Sequence, residues 1–189
     1  MEYILSIVSG ISLAAACGFR VFVPLLILSI ASMSGLSELT TDEQWIASTP
    51  ALITFAVATI FEIIAYYVPW LDYIFDTIAT PLAAVAGVLT MSTLLTDVNP
   101  ILGWTLAVIT GGGAAISVQL LTVKGRAISS GITAGFGNFI LSTGELVLSV
   151  FVSVIAIILP VIALLIVLIV IFFIVRRIYS SRNKVTSVV

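Results

Sequence analysis

The sequence predicts an all-α membrane protein of about six transmembrane helices, and three observations carry that reading. Hydrophobic residues make up 61% of the 189 positions and charged ones only 8%, against about 25% charged in an ordinary soluble domain. So little polar surface cannot cover a globule in water, and lipid must do the covering. The apolar residues fall into runs of spanning length, which need ~20 residues each to cross ~30 Å of hydrocarbon. The basic residues outside those runs fall on one side once the runs are threaded back and forth.

Taken in order, the expected spans are Tyr3–Ser34, Pro50–Val68, Thr77–Leu95, Ile101–Val123, Phe139–Leu159 and Pro160–Val175. Tyr3–Ser34 is too long for one straight crossing at ~1.5 Å per residue, so it tilts, kinks at Pro24 or breaks into a re-entrant pair. It lacks the basic start of a signal peptide and runs on past Arg20, so it is read as a retained first span. Between Phe139 and Val175 the single charge is Glu145, and Pro160 marks a tight hairpin that splits the stretch in two.

Arg176, Arg177, Arg182 and Lys184 follow the last span and belong in the cytoplasm by the positive-inside rule. Counting back puts Lys124 and Arg126 on the same side and the acidic 35–49 loop outside, with both termini cytoplasmic. Trp45 and Trp104 then mark the outer interface, and Tyr66, Tyr67, Trp70 and Tyr73 an inner aromatic belt. The chain reads as one polytopic domain over 1–189, with a first half at 3–95, a second half at 101–175 and a basic tail at 176–189. Three spans per half would invert the second half relative to the first, as in many secondary transporters. A Gly18-Phe19-Arg20 interruption in the first span and Gly111-Gly112-Gly113 in the fourth fit that scheme as paired helix breaks.

Candidate binding residues follow from charge at membrane depth. Arg20 lies too deep to snorkel easily and its guanidinium cannot deprotonate, so it needs a carboxylate, carbonyls, water or an anionic ligand. Glu62 and Glu145 lie within spans, where a carboxylate is either paired or able to carry a proton or cation. Lys124 and Arg126, in a Gly/Ser-rich segment before a helix start, offer an anion site or a plain positive-inside loop. Gly111, Gly112 and Gly113 are either an unwound substrate site or a close-packing surface. Asp72 and Asp76, four residues apart, share one helical face and form a weaker candidate for a divalent cation, or else simply face solvent.

Other chemistries are poorly served. The chain has no histidine and one cysteine, Cys17, so an intramolecular disulfide is impossible and the commonest metal ligand is missing. No nucleophile triad or zinc signature occurs, and neither enzymatic activity nor a cofactor is expected. A net charge of −2 argues against nucleic acid. The expected partners are the lipid bilayer, an ion, small anion or lipid phosphate headgroup, and a second copy of the chain in a homodimer.

Three strings then stand out: Ala15-Ala16-Cys17-Gly18-Phe19-Arg20 with Pro24-Leu25-Leu26; Glu62 with Tyr67-Val68-Pro69-Trp70-Leu71-Asp72, Asp76, Pro81 and Gly87; and Lys124, Arg126 and Gly144-Glu145. Over nearly the whole chain these resemble a family of small bacterial integral-membrane proteins catalogued as a domain of unknown function, DUF4126. The resemblance implies a multi-pass protein of the bacterial inner membrane and supplies no activity. On the residues themselves, the expected function is a small secondary transporter or channel-like carrier for an ion or small anionic solute, with its site at the broken helices near the midplane. The alternatives are a lipid-phosphate translocase or lipid-binding protein, which needs a groove open sideways to lipid, and a non-catalytic membrane assembly subunit.

Overall fold

The computed structural model describes residues 2–96, 98–133 and 136–186; the side chains of residues 2, 69, 70, 72, 73, 132 and 177–186 lie outside that description. It is all-helical among the described residues, and its helices follow the apolar runs. They are α1 (Glu2–Cys17), α2 (Phe22–Met33), a short 3-10 helix (Thr41–Ala47), α3 (Thr49–Tyr67) and α4 (Pro69–Leu94), then α5 (Pro100–Leu106), α6 (Gly113–Thr133), α7 (Phe136–Ile158) and α8 (Pro160–Thr186). Four stretches are long and apolar enough to cross a membrane: Thr49–Tyr67, Ile74–Leu94, Pro100–Gly131 and Phe136–Ile158. Tyr3–Cys17, Phe22–Met33 and Pro160–Arg176 are apolar but shorter. Large side chains such as Phe61, Ile64, Ile169 and Phe173 point outward, which suits a lipid surround.

The long first segment resolves as a helical hairpin. Ser9 Oγ donates to the Ala156 carbonyl (2.7 Å), Ser149 Oγ to the Ala16 carbonyl (3.1 Å), and Arg20 Nη2 to the Ser142 carbonyl (2.7 Å). Rising numbers in α1 therefore meet falling numbers in α7. The chain then turns back, because Ser29 Oγ in α2 reaches the Ile46 carbonyl (2.7 Å), and the Thr40 amide beyond it reaches the Thr93 carbonyl at the end of α4 (3.0 Å). Ile7 and Ile11 near the start of α1 pack with Met91, Leu95 and Leu106, at that same end. Both hairpin arms thus leave from one end of the bundle, the entry end, and their turn lies toward the other.

The break falls at 18–21, not at Pro24, which sits harmlessly in the first turn of α2, where a missing N–H costs no helical bond. Gly35, with φ +72°, closes α2, and the Leu36 amide returns to the Ala31 carbonyl (2.8 Å), as in a Schellman stop.

Four expectations change. α8 runs in the same direction as α1, since Val167, Val170 and Ile174 pack against Ala15, Ala16 and Phe19. The N-terminus and the end of α8 therefore sit at opposite ends of the bundle, so the model with both termini on one side is corrected. The fourth segment is not broken: α5 passes into α6 through one π-helical turn, Ala107–Gly112, and Gly111, Gly112 and Gly113 stay helical. A hairpin in one half and a continuous helix in the other also remove the paired breaks expected of inverted repeats. Finally, α6 runs on to Thr133, so Lys124-Gly125-Arg126 belongs to a helix and not to a loop. The Pro160 hairpin stands as expected, with the Ile162 amide on the Leu159 carbonyl (3.0 Å).

Glycines let the hairpin seat. A Cβ on Gly18 would run into the Ala115 carbonyl oxygen and lie 2.6 Å from the Val118 Cβ, while one on Gly87 would lie 2.6 Å from the Gly111 carbonyl oxygen. Helix backbones approach this closely only through small residues.

Candidate functional site

The hairpin turn carries Arg20 into the protein interior beside Ser142 of α7, about 9 Å from the first residue of that helix, taking six residues at ~1.5 Å each. Four further helices place charged groups around it. On α3, Thr59, Glu62 and Tyr66 share one buried face at helical spacing. On α6, Gln119, Thr122 and Arg126 do the same, as do Ser142, Glu145 and Ser149 on α7. Asp76 comes from α4. The periodicity of each helix thus aims a polar stripe inward at one level.

Arg126 is the anchor. It is 2% exposed, its Nη1 donates to Asp76 Oδ1 at 2.6 Å, and its Nε donates to Glu145 Oε1 at 3.2 Å. Its Nη2 bonds the other Glu145 oxygen, so the carboxylate is gripped in the fork geometry that suits guanidinium. Glu145 also faces Arg20, whose Nη2 stands 3.8 Å away. Both guanidinium carbons lie over the Tyr66 ring, at 3.9 Å for Arg20 and 4.1 Å for Arg126. A buried ring face attracts cations by its quadrupole.

Glu62 has a different task. Its Oε1 accepts from the Val21 amide (2.7 Å) and its Oε2 from the Phe22 amide (3.1 Å). These are amides that the broken helix cannot satisfy for itself, so Glu62 caps α2 from across the bundle. Among the described residues its carboxylate takes peptide donors and no arginine nitrogen.

Arg20 itself is incompletely satisfied. At 1% exposure, its Nε and Nη1 have no hydrogen-bond partner among the described residues, and neither has Ser142 Oγ beside it. Buried donors left unpaired cost ~1–3 kcal/mol each, more when charged. Among the described residues, these two arginines share the cluster with Glu62, Asp76 and Glu145.

Of the sequence candidates, Arg20, Glu62, Arg126 and Glu145 come together. Asp76 joins them through Arg126, which replaces the cation expected there; the Asp72 side chain lies outside the described residues. No group of three or more metal-ligating side chains occurs among the described residues. Lys124 is exposed and stands apart from the cluster. Gly111 lies against Gly87 and Met91, where it serves helix packing rather than an unwound site. Tyr66 was assigned to an interfacial belt but is 4% exposed at the centre of the cluster. Its spacing of four from Glu62 was the signal that could have found it.

No curated protein and no solved structure matches this chain. Residues 7–180 match the model of the family described as a domain of unknown function, DUF4126, and the chain therefore belongs to that family.

Proposed function

We propose that the protein is a small membrane carrier whose substrate site is the charge cluster at the tip of the helical hairpin. The observation that carries this reading is Arg20, a permanent cation 1% exposed whose Nε and Nη1 have no hydrogen-bond partner among the described residues. Non-helical backbone at membrane depth is tolerated where it is buried in protein or lines a cavity, and broken helices of this kind hold substrates in transporters. Intramembrane ionisable residues mark ion and solute paths for the same energetic reason. By the positive-inside rule, the end of the bundle where α8 finishes would face the cytoplasm. The burial of both arginines, at 1% and 2% exposure, favours a solute over a lipid headgroup, because a headgroup must enter with its tails still in the bilayer.

The test is uptake of labelled lactate, nitrate and sodium by proteoliposomes holding the full chain. One of the two anions should enter well above the rate for empty liposomes. Arg20→Gln should abolish that uptake while the protein still elutes as a single folded species. Rates equal to empty liposomes for every solute would sink the carrier reading.

A further inference from the structure

Arg20 and Arg126 carry like charges, yet their guanidinium carbons stand 3.9 Å and 4.1 Å from the centroid of one ring, that of Tyr66. The geometry points to Tyr66 as the positioning residue of the cluster: its π face holds both arginines, and through that hold fixes where the Arg20 side chain stands. The functional half of this inference rests on the carrier reading above.

The hold matters most for Arg20. Arg126 donates to Asp76 and to both oxygens of Glu145, and these bonds would locate it without a ring. Among the described residues Arg20 makes one hydrogen bond, from Nη2 to the Ser142 carbonyl, and that nitrogen stands 3.8 Å from Glu145. A single hydrogen bond fixes one corner of a guanidinium and leaves the rest free to swing about it. The ring supplies the second point of attachment. At 3.9 Å the guanidinium carbon is at contact distance from the ring, and a cation is drawn to a ring face most strongly where both are out of water. Both are here, with Tyr66 4% and Arg20 1% exposed.

The ring is itself held. Phe75 of α4 packs against it edge-on, with centroids 6.2 Å apart and planes at 66°, a favoured aromatic geometry. One helical turn earlier on α3, Glu62 accepts from the Val21 and Phe22 amides. One face of α3 therefore grips the hairpin twice. Glu62 takes the backbone just after Arg20, and Tyr66 takes the Arg20 side chain. Leucine at this position would keep apolar bulk and lose the ring quadrupole, whereas phenylalanine would keep both.

Fluorinated phenylalanines placed at position 66 of the full chain test this, because each fluorine drains charge from the ring face while changing its size little. Tyr66→Phe is the reference, since the hydroxyl is absent throughout the series. The thermal unfolding midpoint in detergent should fall stepwise from phenylalanine to the trifluorinated ring, by roughly 4–8 °C in all for two desolvated contacts. A flat series would overturn the inference, because packing alone does not follow the quadrupole. So would equal midpoints for Tyr66→Leu and Tyr66→Phe. In the proteoliposome assay, labelled uptake should survive better in Tyr66→Phe than in Tyr66→Leu, and equal uptake would overturn the functional half. A stepwise series with uptake absent even from wild type would remove the carrier reading and leave the hold of Tyr66 on the arginines standing. Should Tyr66→Leu fail to fold, the fluorinated series, read for both midpoint and uptake, decides the matter alone.

Discussion

Two glycine-bearing regions of this bundle look alike in sequence and behave in opposite ways. At Gly18-Phe19-Arg20 the helix ends, turns and runs back; at Gly111-Gly112-Gly113 it continues through a single π-helical turn. Glycine alone therefore does not break a buried helix. It lowers the cost of a break by ~1 kcal/mol per residue, whereas each peptide N–H freed inside the protein costs more than that. The hairpin exists because Glu62, from another helix, receives two of the freed amides. Among the described residues no such acceptor stands at Gly111, which packs against Gly87 and Met91, and the helix there stays whole.

The sharpest way to break this contrast is Glu62→Ala. It strands the Val21 and Phe22 amides, and the expected loss is about 2–6 kcal/mol at ~1–3 kcal/mol per buried donor. Hydrogen exchange should speed up at Val21 and Phe22 while the amides of 111–113 keep their protection. Equal protection in mutant and wild type would show that the cap is not what holds the turn.

A smaller effect is expected from Gly87→Ala. The new Cβ would meet the Gly111 carbonyl 2.6 Å away, and backbone cannot swing aside as a side chain can. Overpacking of this kind costs roughly 1–3 kcal/mol, read as a lower midpoint in thermal unfolding.

Smallest of the three is Gly113→Ala, whose Cβ meets nothing within 4 Å among the described residues. Replacing a helical glycine with alanine there should be neutral or stabilising by up to ~1 kcal/mol. A marked loss of stability would mean that Gly113 needs its flexibility after all, and would revive the notion of an unwound segment.

The sequence made the membrane class, the Pro160 hairpin and the importance of Arg20 legible, because each rests on a strong local signal: a long apolar run, a proline, a charge where none is cheap. What stayed hidden was relational. Arg126 sits near Lys124 and several glycines and serines, which read as a loop; the spacing of Gln119, Thr122 and Arg126 shows a helical face only once a partner for that face is known. Asp76 looked like half of a cation site until Arg126 came within reach. The direction of α1 could not be read at all, since composition carries no direction, and only the pairing of Ser9 with Ala156 and Ser149 with Ala16 sets α1 antiparallel to α7.

The π-helical turn at Ala107–Gly112 has a consequence for phase. Such a turn holds one residue more than its α-helical counterpart, and one residue is worth about 100° of rotation at 3.6 per turn. Everything downstream on α6 is dialled round by that amount relative to α5. With the extra residue removed, the face bearing Gln119, Thr122 and Arg126 would swing a quarter-turn or more toward lipid, and Asp76 and Glu145 would lose their shared counter-ion. A single residue some 20 Å from the cluster thus sets the azimuth of its anchoring arginine.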